Sequence, residues 1–189
     1  MTSDKTGKIE YCRLFLLEDL PSPLTRASAH IQIFDNYLPE TRLRLRSIRI
    51  PETNEWRHAL QQRIFLHKES LAEISTSEIN LNEPEYEHFK VFEGNEIRKN
   101  RYYHEFDARL AAFDLYLGPL WGLNRMRIDF DSVEDMRNYV PPAFALLEVT
   151  NEPFFDDANL VNKNFEDIRD AVSRLNSRAG SVETFCASE

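Results

Sequence analysis

Cysteine is almost missing from this chain of 189 residues: there are two, Cys12 and Cys186, one near each end and neither in a Cys-x-x-Cys pair. That spacing speaks against a disulfide scaffold and against a thiolate zinc site, and it suits a reducing, cytoplasmic setting. Long hydrophobic runs are missing too. Nowhere do about eighteen apolar residues follow one another, and Met1 to Lys8 has no apolar centre, so neither a membrane span nor a signal peptide is expected. Basic residues are in the minority, 23 Lys and Arg against 32 Asp and Glu, and the net charge of -9 repels a nucleic-acid backbone. The reading therefore expects no nucleic-acid and no membrane partner. The five histidines, His30, His58, His67, His88 and His104, show no metal-ligand spacing.

What is present is material for a core. With 42% hydrophobic and 12% aromatic residues, the chain is expected to fold as one domain over 1–177, with the small, polar stretch 178–189 as a disordered tail. Alternating or β-rich stretches run over 9–17, 30–38, 42–50, 56–65, 71–81, 96–106, 109–117, 124–130 and 146–150, with Gly118 and Gly122 breaking the chain around a tight turn. Helical patterns are fewer: 83–92 opened by Glu83-Pro84-Glu85, 133–139 behind Asp131-Ser132, and 161–175. About nine strands with occasional helices predict an α+β, mainly β chain built on an antiparallel sheet, closed or nearly closed.

One strand carries an unusual row. Thr41 to Arg46 reads Thr-Arg-Leu-Arg-Leu-Arg, which puts Arg42, Arg44 and Arg46 on one face. Same-face residues lie roughly 7 Å apart, so each neighbouring pair of guanidiniums repels by about 2 kcal/mol at an effective dielectric near 20. Buried acids or a bound polyanion would relieve this; a wet strand face from which the arginines reach solvent is the alternative.

Three stretches together resemble the CYTH domain of the triphosphate tunnel metalloenzymes. They are Asp35-Asn36-Tyr37-Leu38 with the arginine row, Ile97-Arg98-Lys99-Asn100-Arg101-Tyr102, and Phe113-Asp114-Leu115-Tyr116 leading into Gly118-Pro119-Leu120-Trp121-Gly122-Leu123. Pro141-Pro142-Ala143-Phe144 and Leu147-Glu148-Val149-Thr150-Asn151-Glu152-Pro153 look like the family's closing segment, so the likeness covers about residues 8–160. It implies a closed antiparallel eight-stranded β-barrel, a tunnel with a few peripheral helices, whose inward bases hold a triphosphate and whose inward acids hold Mg²⁺ or Mn²⁺. Carried over position by position, the phosphate-binding residues are Arg42, Arg44, Arg46, Arg63, Lys99, Arg101 and Arg127, and the metal ligands are Glu10, Asp114, Asp129 and Glu148. Of these, Glu10 and Asp129 are the candidate catalytic pair. The same acids could instead be ion-pair partners that neutralise the arginines.

The chain departs from the family pattern mainly at its acids. The opening Glu-x-Glu-x-Lys is represented by Glu10-Tyr11-Cys12-Arg13-Leu14, Ala112 stands where a carboxylate is common, and Arg127-Ile128-Asp129-Phe130 replaces Glu-Val-Glu-Phe. Acids have been lost at Cys12, Ala112 and Arg127 and a base at Leu14, while the row Arg42, Arg44 and Arg46, with Lys99 and Arg101, is complete. Thiolate is a poor partner for hard magnesium or manganese, and a guanidinium cannot deliver an activated hydroxide. The sequence thus predicts a CYTH-like protein that binds a triphosphate-containing small molecule or inorganic polyphosphate, with Mg- or Mn-dependent hydrolysis attenuated or lost. An active triphosphatase with a rearranged metal site, an adenylate cyclase and a non-catalytic interaction module are the alternatives, and monomer and homodimer both stay open.

Overall fold

The computed structural model describes residues 7–186 except Asp107. Its strands are β1 (Lys8–Leu17), β2 (Ile31–Tyr37), β3 (Leu43–Ile50), β4 (Glu55–Phe65), β5 (Glu73–Leu81), β6 (Glu96–Phe106), β7 (Arg109–Tyr116), β8 (Asn124–Phe130) and the short β9 (Leu147–Glu148). They pair in the order β5-β4-β3-β2-β6-β7-β8-β1-β9, every ladder antiparallel, and β1 also pairs with β5. That last pairing closes eight strands into the expected barrel, so no strand edge is left open along the first half of β1. Its second half pairs with β9 instead, through Phe15 opposite Glu148 and Leu16 opposite Leu147.

Local chemistry explains where elements start. The helix α1 (Glu83–Phe89) begins at a capping box in which Asn82 and Glu85 satisfy each other's backbone N–H groups, and α2 (Val133–Asn138) is capped by Ser132, which accepts from the Asp135 N–H. Several boundaries differ from expectation, and two of them have a clear local cause. β5 starts at Glu73 rather than 71, because Leu71 and Ala72 bridge to Thr150 and Cys12 through their backbone groups. The last helix, α4 (Phe165–Cys186), starts at Phe165 rather than 161: Asn162 takes a left-handed φ of 61°, and the Asn164 side chain then accepts from the N–H groups of Glu166 and Asp167.

At its other end α4 runs into the stretch 178–189, where a tail was expected. The backbone of 178–186 continues the helix, where each further residue adds one intrahelical hydrogen bond; only 187–189 lie outside the described residues. A segment with no sequence assignment, a 3₁₀ turn over Pro153–Phe155 and the short α3 (Asp157–Leu160), folds against the barrel. Among the described residues no helix is long and apolar enough to cross a membrane.

Two apolar clusters frame the barrel. One contains Phe15, Phe113, Met126 and Ile128 and lies under α2 and the stretch 139–145. The other contains Cys12, Leu14, Leu16, Ile97, Tyr116, Phe155, Leu160 and Ile168, so it joins inward side chains of β1 and β6 to the 153–160 segment and α4. Apolar packing on that side leaves the polar half of the interior as a cavity. Gly122, at φ +104°, is where α4 comes closest: a Cβ there would sit 2.8 Å from the Phe165 ring.

Candidate functional site

The strand period aims alternate residues of six strands into one cavity of about 490 Å³. Lining it are Arg44 and Arg46 of β3, Arg63 of β4, Lys99 and Arg101 of β6, and Arg125 and Arg127 of β8, with Lys8 and Glu10 of β1 and Thr76 of β5. Eight bases and five acids face this space, and two further acids, Asp35 and Asp114, stand buried behind the bases.

Those buried acids answer the repulsion in the arginine row. Asp35, fully buried, accepts from Arg46 Nε and Nη2 at 2.7 Å each and from Arg44 Nη1 at 3.2 Å. Arg44 also donates to Gln61 Oε1 at 2.6 Å and to the Tyr37 hydroxyl at 3.1 Å. Asp114 does the same on the far wall: Arg101 Nε and Nη2 grip it at 2.6 and 2.7 Å, and Lys99 lies 3.0 Å away. Burial pushes both carboxyls up, but the cations outweigh it and hold them far below the usual carboxylate range. Burial likewise pushes the Lys99 ammonium down against its two carboxylate neighbours, Asp114 and Asp157.

The 153–160 segment adds two acids to the cavity wall. Asp157 accepts from Lys99 Nζ at 2.6 Å, from the Tyr116 hydroxyl at 2.5 Å and from Arg125 Nη2 at 2.8 Å, and Asp156 accepts from Arg63 Nη1 at 3.0 Å. Arg127 stands between two carboxylates: Nη2 reaches Glu10 at 2.7 Å and Nε reaches Asp129 at 2.7 Å. Burial raises the Glu10 carboxyl and Arg127 more than reverses that. Cys12 lies in the wall with its thiol directed to the Leu71 carbonyl at 3.3 Å; burial pushes that thiol up, away from thiolate.

No family model matches the sequence, and no curated protein does. Solved structures do match by shape. One, described as the hypothetical protein NE1496, has a TM-score of 0.55 and 19% identity over 82% of this chain and 99% of its own. A second, described as the inorganic triphosphatase NE1496, has a TM-score of 0.53 and 20% identity over 80% and 93%. The chain has the CYTH, or triphosphate-tunnel, fold.

Within this tunnel fold the expected site residues divide. Arg44, Arg46, Arg63, Lys99, Arg101, Arg127, Glu10 and Asp129 converge on the cavity. Three others do not. Arg42 precedes β3, is exposed, and lines a separate, smaller cavity, because the alternation that places Arg44 and Arg46 inward stops at the strand's first residue. Asp114 is spent on Lys99 and Arg101 and has 1% exposure, too little to meet an ion in the cavity. Glu148 lies outside the barrel, held by Arg13 Nε and Nη2 at 2.9 and 2.5 Å beside Tyr139 of the outer cluster.

The acids that remain fit a divalent cation poorly. Among the described residues no three His, Cys, Asp or Glu side chains gather as a ligand set. Glu10 and Asp129, the pair nearest to one, already share a guanidinium. The tunnel also uses residues that the sequence reading passed over. Arg125 was legible, two positions before Arg127 on the same strand face; Asp35 was noticed only as part of a motif; Asp156 and Asp157 follow a turn whose fold depends on long-range packing.

Proposed function

We propose that this protein binds the triphosphate part of a small molecule, or inorganic polyphosphate, inside the tunnel, and that metal-dependent hydrolysis is attenuated or lost. The observation that carries this reading is Arg127 seated between Glu10 and Asp129 in a cavity lined by seven other bases. A triphosphate brings roughly four negative charges, which fixed guanidiniums in a low-dielectric bore hold far better than isolated surface cations do. Arg127 supplies fixed positive charge where the family resemblance implies a metal ligand. It can orient and neutralise phosphate oxygens, but it cannot activate water.

A working triphosphatase is the second reading, favoured by the likeness to a structure described as an inorganic triphosphatase. Thermal shift with tripolyphosphate, with and without Mg²⁺ or Mn²⁺, and phosphate release from tripolyphosphate, thiamine triphosphate and ATP separate the two. Tripolyphosphate at a hundredfold excess over Kd stabilises by about 2.7 kcal/mol, or about 5 to 11 °C for a domain of this size. A metal-free shift without turnover supports the binding reading, brisk metal-dependent turnover supports the triphosphatase, and no shift with any polyphosphate rejects both.

A further inference from the structure

The tunnel ends at an ion pair that has a second cavity behind it. Arg63 and Asp156, with side chains 14% and 9% exposed, line both the large cavity and a smaller one of about 140 Å³, as does Arg44. These three side chains are therefore the partition. Beyond it lie Tyr37, Thr41 and Arg42, and among the described residues no hydrogen bond or ion pair engages the Arg42 side chain.

The two adjacent acids at the partition have different duties. Asp157 is buried and takes three donors, Lys99, Tyr116 and Arg125, which anchors the segment. Asp156 occupies the N-cap position of α3, where an aspartate ordinarily accepts from its own helix, yet it makes no such bond and reaches across to Arg63. Its backbone, by contrast, is tied to Pro153, Asn159 and Leu160. Local structure thus requires the backbone at 156 and leaves the carboxylate to Arg63 alone. Chemically, that carboxylate occupies a guanidinium which a phosphate oxygen would otherwise take.

Building on the polyphosphate reading above, we propose that Asp156 is an internal stopper, and that the cavity behind it, with Arg42, Arg44 and Arg63, is a second phosphate subsite. When the Asp156 side chain swings off Arg63, the end of a longer linear polyphosphate enters, exchanging one oxyanion for another on the same guanidinium. Ligand length is then selected by Asp156.

The test is titration calorimetry of the full chain at fixed ionic strength, with tripolyphosphate and hexapolyphosphate as probes, on the wild type, Asp156→Asn, Arg42→Ala and the double variant. Asparagine keeps the shape and an acceptor for Arg63 but removes the competing charge. Asp156→Asn is expected to tighten hexapolyphosphate about tenfold more than tripolyphosphate, and Arg42→Ala is expected to cancel that difference in the double variant. Arg42→Ala alone, at an exposed position that folding does not need, should weaken hexapolyphosphate about threefold and leave tripolyphosphate unchanged. Equal tightening of both probes, or no effect of Arg42→Ala on hexapolyphosphate, overturns the stopper. Failure of the wild type to bind tripolyphosphate overturns both readings, whereas tripolyphosphate binding without any dependence on length overturns this one alone.

Discussion

Replacing Asp35 by asparagine tests what holds the arginine row inside the barrel. Asp35 is fully buried and its two oxygens take three charged hydrogen bonds, at 2.7, 2.7 and 3.2 Å, from Arg46 and Arg44. Asparagine fills the same volume, but it turns one acceptor into an NH₂ donor facing a guanidinium and removes what is, among the described residues, the only carboxylate paired with these two side chains. Breaking a buried pair by losing one partner costs about 3 to 5 kcal/mol, because the surviving charge stays desolvated. At about 2 to 4 °C per kcal/mol for a domain of this size, the melting temperature should fall by about 6 to 20 °C. Scanning calorimetry measures the fall, and a second scan with saturating tripolyphosphate measures its recovery. The arginines then lack a counter-ion, so the ligand should stabilise Asp35→Asn more than it stabilises the wild type. A fall of less than about 2 °C would show that Asp35 does not offset the row. A large fall that tripolyphosphate does not partly restore would show that Arg44 and Arg46 never meet the ligand.

Two further outcomes follow from the same electrostatics. Arg127→Ala leaves Glu10 and Asp129 without their shared cation, so metal-free tripolyphosphate binding should weaken about tenfold, as expected for one charge-assisted contact, while Mn²⁺ gains a site detectable by electron paramagnetic resonance; unchanged Mn²⁺ affinity would reject the idea that Arg127 fills a cation position. Acid should unfold the chain early. Asp35, Asp114 and Asp157 have folded-state carboxyls depressed below the ordinary 3.8, so the unfolded chain takes up protons first, and the stability they give is present above that value and lost as the pH falls below it. Urea midpoints measured from about pH 7 down to about pH 3 should drop steeply over the last unit, and a flat profile would mean that these acids are not held as ions.

Much of this architecture was legible as period. The alternation in residues 96–106 and 124–130 matches β6 and β8 residue for residue, and Glu83-Pro84-Glu85 and the Ser132 cap announce their helices, because a two-residue repeat and a helix-start signal act over one turn or one strand. The inward direction of Arg44, Arg46, Lys99 and Arg101 came from resemblance, and the cavity they share bears it out for these four but not for Arg42, one residue outside its strand. What each acid is for was not legible. Asp114 and Glu148 look alike as candidate ligands in the chain, yet one is locked behind Lys99 and Arg101 inside the barrel and the other is held by Arg13 outside it.

The sequence by itself determined the strands and the row of arginines, since those are properties of neighbours along the chain. Only the tertiary structure decided which charges meet. Arg44 and Arg46 found Asp35 one strand away, Arg127 found Glu10 from the far end of the chain, and Asp156 found Arg63 after a turn 93 residues later. A salt bridge depends on a few ångströms between groups that closure of the barrel brings together, and no local pattern carries that distance.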